Sequence, residues 1–276
     1  MPETFFQRQI LPLALTIIVF LALVAAFWLE IFGLNKVTST DILLQIRWLD
    51  VLVGLTIYLK TSIDFAIYIG RLMDKFPTWK GRVAIEIGTA VGNAAGTMII
   101  LLIWTFFKEI RWLLALMIFL AALVLFKLAE DSLEHAKDED GKMPSWFRRF
   151  VDGFEYGLDK VNKAIAPILK YVLPNLQVKD QINKGFWPLF LASFTVPFIL
   201  GLDDFAGYVP LFSVVNVFGF GIGVFAGHMV LNILLYISPA RTIKAVKHPV
   251  ISLLGSIAFV GLGIWGLVEV IKILSH

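Results

Sequence analysis

Long apolar runs alternate with short polar segments from one end of the chain to the other. A helix needs about 20 apolar residues to cross the hydrocarbon core of a membrane, and seven runs come close to that length. Charged residues and helix breakers such as Pro77 and Gly81 fall between the runs. The pattern therefore predicts seven transmembrane helices, at residues 9–33, 46–72, 83–107, 111–128, 185–212, 213–237 and 248–273.

The segment 145–173 shows a different periodicity. Its large apolar residues recur at steps of three and four, which places them on one face of a helix. Pro167 is expected to kink or end this helix. We expect a cytoplasmic amphipathic helix that lies on the bilayer surface or against the transmembrane bundle. A partner-binding or gating role is the alternative. The apolar positions are Phe147, Phe150, Phe154, Leu158, Val161, Ile165, Ile168 and Val172.

Composition and charge support a polytopic membrane protein. Of the 276 residues, 58% are hydrophobic and 16% are charged, whereas soluble domains have about 45–50% and about 25%. Basic residues gather in the segments after the second and sixth predicted helices, which the positive-inside rule assigns to the cytoplasm. We therefore expect an inner (plasma) membrane protein with a cytoplasmic amino terminus and an external carboxyl terminus. Most basic residues lie in short loops or among acidic residues, which does not indicate a nucleic-acid partner.

Two short acidic motifs relate the two halves of the chain. Residues 59–70 and 202–209 share the pattern Asp-Phe-Ala-x-Tyr, so that a shift of 140 positions places Asp64 on Asp204. A helix with glycine at every fourth position follows each motif. Such small residues let helix backbones approach closely in membranes. The glycines are Gly88, Gly92 and Gly96 in the first half and Gly219, Gly223 and Gly227 in the second.

These motifs predict a duplicated architecture. Each repeat has three predicted helices, so the second must enter the membrane in the opposite orientation, as in many secondary transporters. The fold class is thus an all-α polytopic membrane protein with two inverted three-helix repeats. The regions are an N-terminal helix and loop (1–45), the first repeat (46–128), a charged linker with the amphipathic helix (129–184) and the second repeat (185–276).

The carboxylates inside these helices are the candidates for a binding site. A charged side chain at the bilayer centre costs about 2.5–3.5 kcal/mol on insertion scales and so needs a partner or a function. We expect Asp64 and Asp204 to converge between the repeats and bind a divalent cation such as Mn²⁺, Ca²⁺ or Mg²⁺, because these ions prefer oxygen ligands. The glycines and prolines around Asp204 predict that the helix unwinds at 201–207, whereas Thr61-Ser62 and Gly70 give a weaker signal for a break at 60–64. Supporting candidates are Asp203, Lys60, Ser62, Asn93 and Asn216.

For three ionisable residues, the sequence allows more than one role. Lys60 lies four positions before Asp64 on the same helical face and can neutralise it, exchange with the bound cation or contact an anionic substrate group. Glu86 and His228 are candidates for a proton relay. The alternative for His228 is a structural, hydrogen-bonded residue in a packed helix.

Enzymatic functions find little support in the sequence. The chain has no cysteine, which excludes thiolate metal sites and a cysteine nucleophile. It contains neither an H-E-x-x-H zinc motif nor a G-x-S-x-G nucleophile elbow. The remaining enzymatic hypothesis is an intramembrane aspartyl protease that uses Asp64 and Asp204 as an acid/base dyad. The segment Gly201-Leu202-Asp203-Asp204 fits the motif of such proteases poorly. We expect no enzyme and no resident cofactor.

With the repeat in view, the chain resembles the LysE superfamily of membrane exporters, in particular its TerC-type and cadmium-resistance-type branches. The residues that carry the resemblance are Thr61-Ser62-Ile63-Asp64 in the first half and Leu202-Asp203-Asp204, Pro210-Leu211-Phe212 and Asn216 in the second. The resemblance implies a three-plus-three inverted fold. It also implies export of small cations, often divalent metals, or of small organic solutes.

The sequence thus predicts a secondary transporter that exports a small cation, in the first place a divalent metal ion. An exporter of an amino acid or another small organic solute is the alternative. A second alternative is a non-transporting assembly or regulatory subunit. The partners expected are the lipid bilayer, the transported cation or solute, and a protein partner or a second copy of the chain docked through 145–173.

Overall fold

The computed structural model describes residues 10–39, 41–134, 144–172, 185–212, 215–246 and 248–275. All regular structure in these ranges is helical. The helices are α1 (Leu11–Val37), α2 (Trp48–Thr61), α3 (Ile63–Lys75), α4 (Trp79–Phe107), α5 (Arg111–Glu134), α6 (Ser145–Val172), α7 (Phe186–Tyr208), α8 (Val217–Ile237), α9 (Pro239–Val246) and α10 (Pro249–Ser275).

Five of these helices, α1, α4, α5, α8 and α10, are long and apolar enough to cross a membrane. Two more helices carry shorter apolar segments, Trp48–Leu59 in α2 and Phe186–Phe198 in α7. The chain is therefore built as a helical membrane protein, as its hydrophobic pattern predicts. The predicted amphipathic segment forms a single helix, α6, which continues through Pro167 to Val172.

The helices form two compact units. Unit 1 contains α1 to α4, α8 and most of α7. In its core the backbones of α2 and α8 touch, because a side chain at Gly54 would collide with the carbonyl of Phe220 and one at Gly223 with the carbonyl of Val51. The ring of Phe27 from α1 packs edge-on against Phe225 of α8, with 5.4 Å between the ring centroids. Glycine thus sets the helix spacing, and aromatic rings fill the remaining space.

Unit 2 contains α5, α6 and α10. Serine hydroxyls join α5 to α10: Ser132 Oγ donates to the carbonyl of Ser252 at 2.9 Å, and Ser256 Oγ donates to the carbonyl of Ala129 at 2.7 Å. Helix α6 is fixed to α5 by Asn162, whose Nδ2 donates to the Phe126 carbonyl and to Glu130 Oε2. The inward face of α6 buries Phe147, Val151 and Leu158.

The chain is interrupted at the weaker of the two predicted breaks and not at the stronger one. The span predicted at 46–72 is interrupted at Ser62, where φ is −91° and ψ is 21°, and the expected unwinding at 201–207 does not occur, because α7 is helical to Tyr208. Helices in membrane proteins tolerate glycine and proline when neighbouring groups satisfy the backbone, and Pro197 lies inside α7. Helix α9 occupies part of a segment predicted to be a loop.

Candidate functional site

A stripe of polar residues runs along α4. Positions 86, 89, 93 and 97 recur at steps of three and four, so they share one helical face. All four side chains are buried, and Glu86 is only 4% exposed. The hydroxyls of Thr89 and Thr97 donate to carbonyls of their own helix. Glu86 and Asn93 therefore remain as buried polar groups that the helix itself does not satisfy.

Helix α8 runs antiparallel to α4 and faces this stripe with two polar residues one turn apart. His228 and Asn232 are both fully buried. Asn232 Nδ2 lies 3.2 Å from Thr89 Oγ1 and 3.5 Å from the Glu86 carbonyl oxygen. His228 Nε2 lies 3.3 Å from the same Thr89 hydroxyl and 3.0 Å from Asn232 Nδ2. The two helices therefore meet through side-chain hydrogen bonds in an otherwise apolar region.

A third helix, α2, supplies Tyr58. Its hydroxyl lies 2.6 Å from His228 Nδ1, and both side chains are buried. The ring of Phe65, from α3, packs against the imidazole with 5.3 Å between ring centroids. Both nitrogens of His228 thus have hydrogen-bonding neighbours. We call Tyr58, Glu86, Thr89, His228 and Asn232 the polar seam.

Two arrangements of hydrogens satisfy the histidine. If the Asn232 amide group donates to Nε2, then Nδ1 carries the proton and donates to the Tyr58 oxygen. If the Asn232 amide is turned so that its oxygen faces Nε2, that nitrogen donates and Nδ1 accepts from the Tyr58 hydroxyl. The positions of heavy atoms do not distinguish these arrangements. They differ by the position of protons along the chain Tyr58–His228–Asn232.

Several buried atoms of this region have no hydrogen-bond partner within the described structure: Glu86 Oε2, Asn93 Nδ2, Asn232 Oδ1 and Arg82 Nε. Arg82 lies one helical turn before Glu86, yet its Nη1 donates to the carbonyl of Tyr236 and its guanidinium lies over the Tyr236 ring. No ion pair joins Arg82 to Glu86 in the part of the chain that the structure describes. A buried carboxyl group without a partner is costly, which makes Glu86 a functional candidate.

The interruption at Ser62 lies close to this seam. Ser62 follows the 14 residues of α2 and precedes the 13 residues of α3, so it stands at the middle of the combined segment. Its backbone N–H donates to the carbonyl of Tyr58, and its carbonyl accepts from the N–H of Ala66. No side chain caps the start of α3. Asp64 is the second residue of α3.

The predicted ion ligands divide into two groups. Lys60, Asp64, Asp203 and Asp204 lie in helical backbone, but their side chains fall outside the described structure. Ser62 and Asn93 are buried in unit 1. Among the residues that are described, no three of His, Asp or Glu stand close enough to hold a metal ion.

Asn216 has a structural position at the start of α8. Its Oδ1 accepts from the backbone N–H of Gly219 at 2.9 Å, and its Nδ2 donates to the carbonyl of Leu43 at 2.9 Å. The first bond is a helix N-cap. The second fastens the cap to the segment before α2. Both ends of this amide are therefore engaged within the protein.

Four residues of interest were not among the sequence candidates, and one of them is Thr89 of the polar seam. Asn232 had a detectable signal, because it lies one turn from His228 on the same face of α8. Tyr58 had none, since 170 positions separate it from the histidine that it contacts. Glu30 in α1 also has a buried carboxyl oxygen without a partner among the described residues. It lies inside a strongly apolar run that the sequence predicted only as a span.

Comparisons with models of known families, with curated proteins and with solved structures find no match for this chain.

Proposed function

We propose that this protein is a secondary transporter that exports a small cation, in the first place a divalent metal ion, bound by Asp64 and Asp204. The observation that carries the proposal is the interruption of the helical segment α2–α3 at Ser62, two positions before Asp64 and one turn after Tyr58 of the polar seam. Discontinuous helices of this kind form the substrate and ion sites of many secondary transporters.

The two ends at the interruption suit a cation and its carboxylate ligand. The last turn of α2 presents the negative end of a helix dipole, and such ends coordinate cations in transporters. The first turn of α3 is the positive end, which stabilises an acidic residue in its ionised form. Asp64 occupies that first turn. The joint thus favours both an ionised Asp64 and a cation beside it.

The inverted three-helix repeats are part of this proposal, and the helix contacts support them. In the proposed repeats, the first helices are α2–α3 and α7, and the second helices are α4 and α8. Each first helix packs on the second helix of the other repeat. A side chain at Gly219 would meet Asp50 of α2, and one at Gly88 would meet Phe190 of α7. Position 50 corresponds to 190 by the shift of 140 that relates the acidic motifs.

The remaining helices also pair between the two proposed repeats. The third helices of the proposed repeats, α5 and α10, pack on each other in unit 2. The antiparallel course of α4 and α8 is what two oppositely inserted repeats require. We therefore propose seven membrane spans and membership of the LysE superfamily. We also propose an inner-membrane location with a cytoplasmic amino terminus, on the distribution of basic residues.

Flux through proteoliposomes tests the proposal. The purified protein is reconstituted, and entry of Mn²⁺, Ca²⁺ and Mg²⁺ is measured beside a panel of amino acids. We expect Asp64→Asn and Asp204→Asn to reduce metal flux to the level of empty vesicles, because each removes one carboxylate ligand. Asp74→Asn is the matched control, since Asp74 is an exposed residue of the same helix as Asp64. It should retain full flux.

Unchanged metal flux in both site variants would contradict the paired-carboxylate site. Movement of amino acids instead of metals, sensitive to the same substitutions, would replace the cation by an organic solute. If no solute moves in a correctly folded sample, the transport proposal is wrong.

A further inference from the structure

The polar seam contains a carboxyl group whose burial needs an explanation beyond the proposed aspartate site. Glu86 is 4% exposed, and its Oε2 has no hydrogen-bond donor among the described residues. Asn232 of α8 is fully buried, and its Nδ2 lies 3.5 Å from the backbone carbonyl oxygen of Glu86. A buried carboxyl oxygen without a donor indicates an occupant that brings positive charge or a hydrogen-bond donor.

No described cation neutralises this carboxyl group. On its own helix, Arg82 is directed to Tyr236 of α8. The other described side chains of the seam are Thr89 on α4, His228 and Asn232 on α8 and Tyr58 on α2, and Phe65 of α3 packs against His228. Of these only His228 can become cationic near neutral pH. It is fully buried, and both of its nitrogens have hydrogen-bonding neighbours already.

The number of oxygen ligands in the seam decides which cation it can bind. Ca²⁺ takes six to eight oxygen ligands, and Mg²⁺ takes a near-ideal octahedron. The seam offers one carboxyl group, that of Glu86, and no group of three acidic or histidine side chains that could hold a metal ion exists among the described residues. A proton needs only one carboxylate oxygen, and once bound it removes the charge that is costly to bury.

We propose that Glu86 is a second cation site, separate from Asp64 and Asp204, and that it carries the proton exchanged for the transported cation. This inference rests on the proposed transport function. In each cycle the carboxylate takes up one proton from one side of the membrane, which forms an O–H bond. It releases that proton on the other side as the bond breaks. Thr89, Asn232, His228 and Tyr58 are positioning residues that hold the seam around the carboxyl group.

Covalent labelling tests proton binding without any transport assay. Dicyclohexylcarbodiimide, an apolar reagent, reacts with protonated carboxyl groups in membranes and leaves a stable adduct that mass spectrometry can locate. We expect an adduct on Glu86 at acidic pH that diminishes as the pH rises, and none at that position in Glu86→Gln. Absence of the adduct at acidic pH would overturn the proposal. Suppression of labelling by Na⁺ at constant pH would also overturn it.

Transport measurements then separate coupling from cargo binding. Proteoliposomes are assayed for metal exchange at equal pH on both sides and for metal accumulation driven by a pH gradient. We expect Glu86→Gln to retain exchange and to lose the response to the gradient, and Glu86→Asp to recover part of that response. Glu269→Gln is the control, because Glu269 is on α10, where it pairs with Lys272. It should behave as the wild type does.

The two proposals fail differently in these assays. If the wild type moves cargo and Glu86→Gln still accumulates it in response to the gradient, the Glu86 inference is wrong and the transport function stands. If no cargo moves in the wild type, the transport function is wrong, and the labelling result decides whether Glu86 binds a proton.

Discussion

Helices meet in two chemically different ways in this protein. In unit 2, α5 and α10 join through small residues and serine hydroxyls that donate to carbonyls of the facing helix. In unit 1, α4 and α8 join through Glu86, His228 and Asn232, with Tyr58 added from α2. Each contact connects long helices that are apolar enough to cross a membrane.

The difference separates packing from function. Close backbone approach and a few hydroxyl bonds are enough to associate helices in a membrane, and the contact between α5 and α10 has this character. Titratable groups add a desolvation cost that packing does not require. In the polar seam these groups include a Glu86 carboxyl oxygen that has no donor among the described residues, a feature that the contact between α5 and α10 does not share. Transport of a cation and a proton is the purpose that we propose for the polar seam.

The largest effect is expected where backbones touch. A methyl group at Gly223 would collide with the carbonyl of Val51 and the N–H of Leu55, and backbone atoms cannot rotate away. We expect Gly223→Ala to destabilise the protein by about 2–3 kcal/mol through overpacking. Thermal unfolding in detergent micelles measures this. Gly261→Ala is the matched control, because nothing lies within 4 Å of its added carbon; an equal loss in the control would contradict the assignment.

A smaller effect is expected from one hydroxyl of the polar seam. Tyr58→Phe leaves His228 Nδ1 without its 2.6 Å neighbour, which should cost about 1–2 kcal/mol. Adding His228→Leu removes the unpaired nitrogen. The double variant should therefore lose about 1 kcal/mol less free energy of unfolding than the two single variants lose in total. Thermal unfolding of the four proteins in the cycle gives this coupling. Strict additivity would show that the two side chains do not interact.

The smallest effect is expected in unit 2. Ser256→Ala removes the hydroxyl that donates to the carbonyl of Ala129, and comparable side-chain bonds in membranes average about 0.6 kcal/mol. We expect a correspondingly small shift in thermal unfolding and no change in the rate of metal transport. A clear loss of transport per folded molecule would place function in the contact between α5 and α10.

The hydrophobic pattern predicted the long helices because their period and length depend only on local sequence. The predicted 83–107, for example, corresponds to α4, Trp79–Phe107. The sequence favoured the wrong position for the chain interruption. Thr61-Ser62 is a weaker breaker signal than the prolines and glycines of α7, yet the chain is interrupted at Ser62, whereas α7 stays helical through Pro197. Whether a breaker interrupts a membrane helix depends on which neighbouring groups satisfy the freed backbone, and these come from distant segments.

The polar seam could be predicted from the sequence only in part. Glu86 and His228 are ionisable residues inside apolar runs, and the cost of burying them marked both as candidates. Only the tertiary structure brings them together with their neighbours, because Tyr58 is 170 positions and Thr89 is 139 positions away from His228 in the sequence. The roles of Asp64 and Asp204 remain predictions, because only their backbone is described.

One measurement tests the central claim most directly, namely that unit 1 carries transport while the contact between α5 and α10 in unit 2 serves packing. Accumulation of a divalent metal in proteoliposomes is compared for the wild type, Asp64→Asn and Ser256→Ala, with each rate normalised to folded protein. The account predicts that Asp64→Asn falls to the level of empty vesicles and that Ser256→Ala equals the wild type. Equal rates in all three proteins, or a loss confined to Ser256→Ala, would contradict it.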